Sequence, residues 1–412
     1  MWKNIDYRRL WIANSVSSLG SQITFLALPL TAITLLHASP VQMGILTACG
    51  TLPFLIVSLP AGVWVDRLQR RPILITADIG RAILLGMIPL LALLGILHIK
   101  HLYLVAFLTG ILSLLYDVTE ETYLPAIVGS EHLVEGNSQL AAIDTTAEMT
   151  APVIAGGLVQ VLTAPIAIAI DAVSFLWSAF WLSRIQQQES KPAPIRQGGV
   201  WQEIREGIAY LVHNPLLRPS MLTGIQWQLF GGMTDALLIL YLAVTLHLPP
   251  ITIGLVYAVG SLSALVTTNF SKNATKKFGP GPITIGAALL LGIGWLIVPL
   301  AFGTSWMAFG MIAVGMLIAG AGNMLWNVTT TSITQTITPN RLLGRVNASS
   351  RFLTEGALPV GALIGGWLAE QWGLRPALLL SCSGVFLGVL WVWYSPLRSL
   401  CSFPKGVTSI ES

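Results

Sequence analysis

The stretch AGVWVDRLQRRPILITADIGRAILL, residues 61–85, poses the question from which the fold is read. Asp66, Arg67, Arg70 and Arg71 form a short charged connection between two apolar runs, and Asp78 and Arg81 then lie inside the second run. A charge at the centre of a membrane helix costs about 2.5 to 3.5 kcal/mol on insertion scales. Residues placed at that cost need partners or a task.

Working outward, composition sets the solvent. Of 412 residues, 54% are hydrophobic and 10% charged, with a mean hydropathy of +0.73. That leaves too little polar surface for a water-soluble globule. A spanning helix needs about 20 mostly apolar residues. The charged and Pro/Gly breaks divide the chain into twelve such segments, at about 10–36, 41–65, 73–97, 102–127, 138–161, 165–186, 217–246, 251–271, 281–302, 305–332, 346–371 and 375–395.

Orientation follows from the basic residues of the short loops. Of the 22 Lys and Arg residues, Lys100 and Arg375 fall opposite the N-terminus, Arg81 lies within a helix, and the rest share the side of the N-terminus. Both termini and the middle loop are therefore expected in the cytoplasm. The net charge of +4 expresses this asymmetry and calls for no nucleic-acid partner. The opening MWKNIDYRRL leads into an apolar run that is too long for a signal peptide and lacks a small-residue cleavage site, so it is expected to remain as a span. Cys49 and Cys382 sit in predicted helices and Cys401 in the tail, which argues against a disulfide framework.

An offset of 210 residues aligns the chain with itself. SPVQMGILTACGTL (39–52) meets PPITIGLVYAVGSL (249–262), and SEHLVEGNSQL (130–140) meets NRLLGRVNASS (340–350). Two distant blocks sharing one offset indicate a duplicated six-helix unit. The expected organisation is a six-helix bundle over 1–186, a cytoplasmic linker over 187–216, a second bundle over 217–395 and a cytoplasmic tail over 396–412. Within the linker, Trp201, Ile204, Ile208 and Leu211 share one face of a short amphipathic helix, expected to lie on the inner leaflet.

The run Gly62-x-x-x-Asp66-Arg67-x-x-Arg70-Arg71 resembles the cytoplasmic loop signature of the major facilitator superfamily. DRLQRRPILITADIGRA, YLPAIVGSEHLVEGNSQL and TAPIAIAIDAVSFLWSAF resemble more closely its macrolide-efflux and transmembrane-secretion-effector branch of drug:proton antiporters, which includes siderophore exporters. The resemblance covers essentially the whole chain and is strongest in the first half. It implies an all-α membrane protein of twelve transmembrane helices in two pseudo-symmetric bundles, exporting small molecules by alternating access. It also implies a cytoplasmic gate at Gly62, Asp66, Arg67, Arg70 and Arg71. At 1.5 Å per residue, Arg81 and Asp117 lie at comparable depths of about 12 and 15 Å. An Arg81–Asp117 pair is therefore expected, with Asp78 and Asp66 as competing partners. A structural role for these charges in helix packing stays open beside the gate. The loop of the second half, NFSKNATKKFGPGP (269–282), carries lysines and no acid, so the gate is expected to be asymmetric.

A proton antiporter needs an intramembrane carboxylate that can change its charge with its hydration. The candidates are Glu120, Glu121, Asp144, Glu148, Asp171, Asp235 and Glu355. Glu148 and Glu355 lie deepest, at about 16 and 14 Å from their cytoplasmic helix starts, on repeat-related helices. Glu148 can alternatively hydrogen-bond Thr145, Thr146 or Thr150, and Glu355 can pair with Arg351 one turn earlier. Where relatives carry an acid after the first helix's Leu-Gly, this chain has Ser21 and Gln22.

In the implied fold the first, fourth, seventh and tenth helices line the cavity. They carry Asn14, Ser18 and Gln22, then Tyr116 and Tyr123, then Gln226, Trp227, Gln228 and Tyr241, then Asn323, Trp326 and Asn327. Aromatics with a few amides suit amphipathic organic molecules, although Trp and Tyr also serve as interfacial anchors. There is no Gly-x-x-x-x-Gly-Lys-Ser/Thr loop and no metal-ligand spacing among the six histidines. Four Asn-x-Ser/Thr matches lie in helices or on the cytoplasmic side and read as noise.

The expectation is a non-enzymatic exporter without cofactor in a bacterial cytoplasmic membrane, with a small-molecule substrate, protons as coupling ion and the bilayer as partners, and monomeric. Siderophore export, lipid flipping and a non-transporting membrane sensor are the alternatives.

Overall fold

A computed structural model of the protein describes Trp2 and residues 4–187 and 200–400, without the side chains of residues 59, 60, 62, 63, 66, 67, 130, 200–203, 272 and 340. Its regular elements are helices, numbered here in chain order. The first six are α1 (Ile5–Leu36), α2 (Pro40–Arg67), α3 (Arg70–Leu93), α4 (Ile99–Val128), α5 (Leu133–Val161) and α6 (Ala164–Ser183). After α7 (Val200–His213) come α8 (Leu217–Leu240), α9 (Pro250–Phe278), α10 (Pro280–Leu300) and α11 (Ser305–Ile337). The chain continues through α12 (Asn340–Glu355), α13 (Ala357–Trp372), α14 (Leu374–Leu387) and α15 (Val389–Trp393).

Local signals set many of the boundaries. Asn4 caps α1 by accepting from the backbone N–H groups of Asp6 and Tyr7, and Ser39 with Gln42 forms a capping box ahead of Pro40 at the start of α2. The offset of 210 residues is visible in the elements: α2 begins at Pro40 and α9 at Pro250, and α6 begins at Ala164 and α14 at Leu374. The second copy is more broken than the first. α12 and α13 meet at a turn at Gly356, α14 and α15 at Gly388, and α8 ends in one π-helical turn, Tyr241–Thr245.

Among the described residues, eleven stretches are long and apolar enough to cross a membrane. The twelfth expected segment is present as the 29-residue α5. It carries Glu135, Asp144 and Glu148, and this polar content keeps it out of that set.

The chain separates into two compact units, residues 1–196 with 248–258, and residues 197–247 with 259–412. In the first, α1 packs on α5 and α6, and α3 packs on α4 and α6. In the second, α8 packs on α13 and α14, and α10 packs on α11 and α14. The same helix pairings recur at the repeat offset, as a duplicated bundle requires.

Helix surfaces are arranged for lipid. On α6, Ile170, Val173, Trp177 and Phe180 are exposed whereas Asp171, Ser174 and Ser178 are buried. Apolar groups outward and polar groups inward is the pattern a lipid solvent favours.

The linker helix departs from expectation. Ile204 and Leu211 of α7 are buried in protein, and α7 packs on α12. Ser349 donates to the Ile204 carbonyl at 3.1 Å, Tyr210 donates to the Ile337 carbonyl at 2.9 Å, and Glu206 pairs with Arg345. Ile204 and Leu211, expected to face lipid, are thus covered by protein, and Ile208 is half-buried. Trp201 lies outside the described side chains, and residues 188–199 and 401–412 outside the described residues.

Candidate functional site

The second unit contains a cavity of 520 Å³ between α8, α11 and α12. Trp227 and Trp326 form one part of its wall, their ring centroids 4.4 Å apart at 55°. Trp227 is held by donating its indole N–H to the Val385 carbonyl at 2.9 Å. Glu355, the last residue of α12, lines the cavity and accepts from the Gln228 side-chain amide at 2.8 Å. Asn327 donates to both the backbone carbonyl and the Oδ1 of Asn323 at 3.1 Å.

Between these groups run Thr330, Thr334 and Thr354. Each donates its hydroxyl proton to the carbonyl four residues earlier, at 2.8 to 2.9 Å. With their protons so engaged the hydroxyl oxygens can act only as acceptors, and they share the wall with the rings of Trp227 and Trp326.

The expected cavity residues divide here. Trp227, Gln228, Asn323, Trp326 and Asn327 line the cavity, and Gln226 and Tyr241 do not. Gln226 donates to the Gly384 carbonyl at 2.7 Å and accepts from the Trp391 indole. Tyr241 is buried in the π turn with its hydroxyl 3.5 Å from the Pro299 carbonyl. Adjacent residues on a helix face different directions, and the side of α8 that bears Gln226 is occupied by α14 and α15. The hydroxyls of α11 and α12 were not singled out from sequence, because threonine at helical spacing carries no distinctive signal. Two of the sequon matches dismissed as noise, at Asn327 and Asn347, put their asparagines in the cavity wall.

The first unit holds a separate polar centre. Arg81 pairs with Asp78, three residues before it on α3. This corrects the expected Arg81–Asp117 pair, since Asp117 is exposed on α4. Spacing of i, i+3 puts Asp78 and Arg81 on one face of one helix, where matching depth on two helices does not fix direction. The guanidinium lies 4.4 Å from the centroid of the Tyr116 ring and 4.2 Å from that of Phe175, and Ser113 accepts from it at 3.4 Å. Cation–π contact on two rings suits a desolvated arginine. Deeper on α6, Asp171 accepts from Thr24 of α1 and from Ser174, the latter at 2.9 Å.

Arg70 donates to the Thr122 hydroxyl at 3.2 Å, and Arg71 donates to the Leu182 carbonyl at 3.2 Å and to that of Ser183, tying the start of α3 to α4 and to the end of α6. Gly62, Asp66 and Arg67 lie in α2, but their side chains are outside those described. Asp144 accepts from Ser18 at 2.8 Å. Glu121, Glu148 and Asp235 are exposed. Thr145, Thr146 and Thr150 each donate to the carbonyl four residues earlier. Asn14, Tyr116 and Tyr123 are buried, and Gln22 is half-buried.

The sequence model of the Major Facilitator Superfamily matches residues 10–356. The multidrug efflux pump Tap of Mycolicibacterium fortuitum is 26% identical over 397 residues, covering 92% of this chain and 93% of Tap. Macrolide efflux protein A of Streptococcus pyogenes is 22% identical over 386 residues, covering 92% of this chain and 93% of that protein. Among solved structures, a bacterial homologue of the iron transporter ferroportin in its inward-facing state superposes with a TM-score of 0.75 at 19% identity. It covers 96% of this chain and 98% of its own.

Proposed function

The chain belongs to the Major Facilitator Superfamily, a multi-pass membrane transporter with efflux pumps among its relatives, and on that premise we propose that it exports amphipathic organic molecules by proton antiport and alternating access. The proposed setting is a bacterial cytoplasmic membrane with both termini inside, and the chain acts without cofactor.

The observation that carries this reading is the cavity of the second unit. Its volume of 520 Å³ suits a drug-sized ligand. The Trp227–Trp326 pair supplies apolar area, and the threonine and asparagine oxygens accept from hydroxyl and amine groups. The relatives Tap, a multidrug efflux pump, and macrolide efflux protein A support such a wall.

For the coupling residue we favour Glu355. Pairing with Arg351 on the same helix places Glu355 after Glu148 on sequence grounds, but Glu148 is exposed on α5, whereas Glu355 lines the cavity with the Gln228 amide and Arg351, a cation that substrate or proton binding can compete with. A carboxylate in the ligand's own space can exchange a proton for a substrate. One proton moving down about 100 mV contributes roughly 2.3 kcal/mol, and one pH unit roughly 1.36 kcal/mol more. Together they sustain accumulation of several hundred-fold.

Inside-out vesicles with a respiration-driven proton gradient and a pH dye test the reading. Macrolides, lipophilic cations and siderophores are added to vesicles bearing native protein, Glu355→Gln or Glu148→Gln. The expected result is substrate-dependent loss of the gradient with native protein, abolished in Glu355→Gln and retained in Glu148→Gln. A compound that binds directly yet never disturbs the gradient would overturn proton antiport. Loss in Glu148→Gln alone would return the coupling role to α5.

A further inference from the structure

The cavity of the second unit has two unlike ends. Its wall runs from Leu217 to Gln228 on α8, from Asn323 to Thr334 on α11 and from Val346 to Glu355 on α12. At 1.5 Å per residue these spans are about 13–16 Å long. The hydrogen bond from Gln228 to Glu355 marks one end, where Arg351 stands one turn before the carboxylate in the same wall. The other end is marked by Tyr210 of α7, which donates to the carbonyl of Ile337 at the end of α11. There Leu211 of α7 joins Leu217, Met221 and Val346 in one apolar cluster that also lines the cavity. Ser220, Thr334 and Asn347 are the polar residues near that level.

This floor is built to stay in place. α7 is part of the second unit, and Gly207 lets it approach α12 closely, because a Cβ there would collide with the Arg345 carbonyl and Ser349 Oγ. Ser349 donates to the Ile204 carbonyl, and Tyr210 satisfies a carbonyl that the last turn of α11 leaves without a helical partner. Leu211 is 3% exposed, Leu217 2% and Val346 fully buried, so the apolar residues are packed from behind as well as facing the cavity. An additional methylene pressed against such a floor meets the resistance of a filled core.

We propose that α7 closes the substrate cavity at one end and that Leu211 sets how long the apolar part of a substrate can be, the substrate's polar group lying at Glu355 and Gln228. The inference rests on the reading of this cavity as the substrate site and makes the linker helix an element of specificity. The ligand class is an amphiphile that is polar at one end only, with the Trp227 and Trp326 rings beside its middle. Each methylene that finds room contributes about fourfold in affinity, and one that must displace Leu211 contributes none.

The test is binding of a series of phenylalkylamines, from benzylamine to phenylhexylamine, to the purified full-length protein in lipid nanodiscs. Isothermal titration calorimetry measures it, with protein-free nanodiscs subtracted. Native affinity is expected to rise about fourfold per methylene up to a limiting length and then to stop rising. Leu211→Ala removes an isopropyl group from the floor and should move that limit up by about two methylenes. Leu211→Phe fills the same space and should move it down, which keeps the test decisive if the smaller side chain unfolds the protein. Ile204→Ala loosens α7 at a buried position outside the cavity wall, and it should lower the unfolding temperature without moving the limit.

A limit that stays put in both Leu211 variants overturns the inference, as does a shift of equal size in Ile204→Ala or binding of no member of the series. The same amines are added to inside-out vesicles to separate this inference from the proposed function. A length limit that shifts with Leu211 while the proton gradient is undisturbed upholds the inference and overturns proton antiport. Gradient loss with an unshifted limit does the reverse.

Discussion

Gln228 donates a hydrogen bond of 2.8 Å to Glu355, joining the middle of α8 to the last residue of α12 at the cavity wall. The bond spans 127 residues of sequence. It fixes the direction of a carboxylate at the turn where the eleventh membrane segment breaks.

A hydrogen bond to a charged group contributes roughly 1.5–3 kcal/mol. Gln228→Leu should therefore weaken substrate-dependent gradient loss about tenfold or more while leaving some activity, in contrast to the complete loss expected for Glu355→Gln. Concentration-dependence in vesicles measures the difference. Equal defects in the two variants would mean that Gln228 does more than orient the carboxylate.

The Asp78–Arg81 pair should behave as a buried ion pair. Arg81→Leu alone leaves an unmatched carboxylate and is expected to destabilise the protein by about 3–5 kcal/mol. The double change Asp78→Leu with Arg81→Leu should recover most of that loss. Thermal unfolding in detergent compares them, and a double variant no better than the single would show that the pair is not the main electrostatic partnership.

Gly20 should be intolerant of added volume, because a Cβ there would collide with Ser174 Oγ and Asp171 Oδ1. Overpacking typically costs 1–3 kcal/mol, so Gly20→Val is expected to lower the unfolding temperature, with partial recovery on adding Ser174→Ala. A neutral effect would mean that α1 and α6 part more easily than their contact implies.

The linker helix gives two contrasting variants. The Glu206–Arg345 pair is well exposed, and exposed pairs contribute about 0–1 kcal/mol. Glu206→Gln should accordingly change stability little. Gly207 lies against the Arg345 carbonyl and the Ser349 hydroxyl, so Gly207→Val must push α7 off α12. Thermal unfolding should rank Gly207→Val well below Glu206→Gln, and the reverse order would mean that the ion pair holds the helix.

Much of the architecture was legible because it is local or additive. A bilayer demands about 20 apolar residues per crossing whatever their neighbours, so segment after segment could be read independently, and duplication could be read from one offset. α5 was found despite its acids because it lies between well-marked neighbours. The linker's amphipathic helix was likewise legible, but its partner was not, since an apolar face looks the same whether lipid or α12 will cover it.

Residue types that suit a membrane, the order of the segments and the loop signature were determined by the sequence alone. The tertiary structure decided which faces meet. It gave Arg81 to Asp78 instead of Asp117, turned Gln226 toward α14 and Trp227 toward Trp326, and brought Asp171 of α6 beside Gly20 and Thr24 in a first helix that has no acid of its own at that depth. Depth along a helix follows from counting residues at 1.5 Å each, but direction follows from the rotation and close packing of helices far apart in the chain, and no local pattern encodes that.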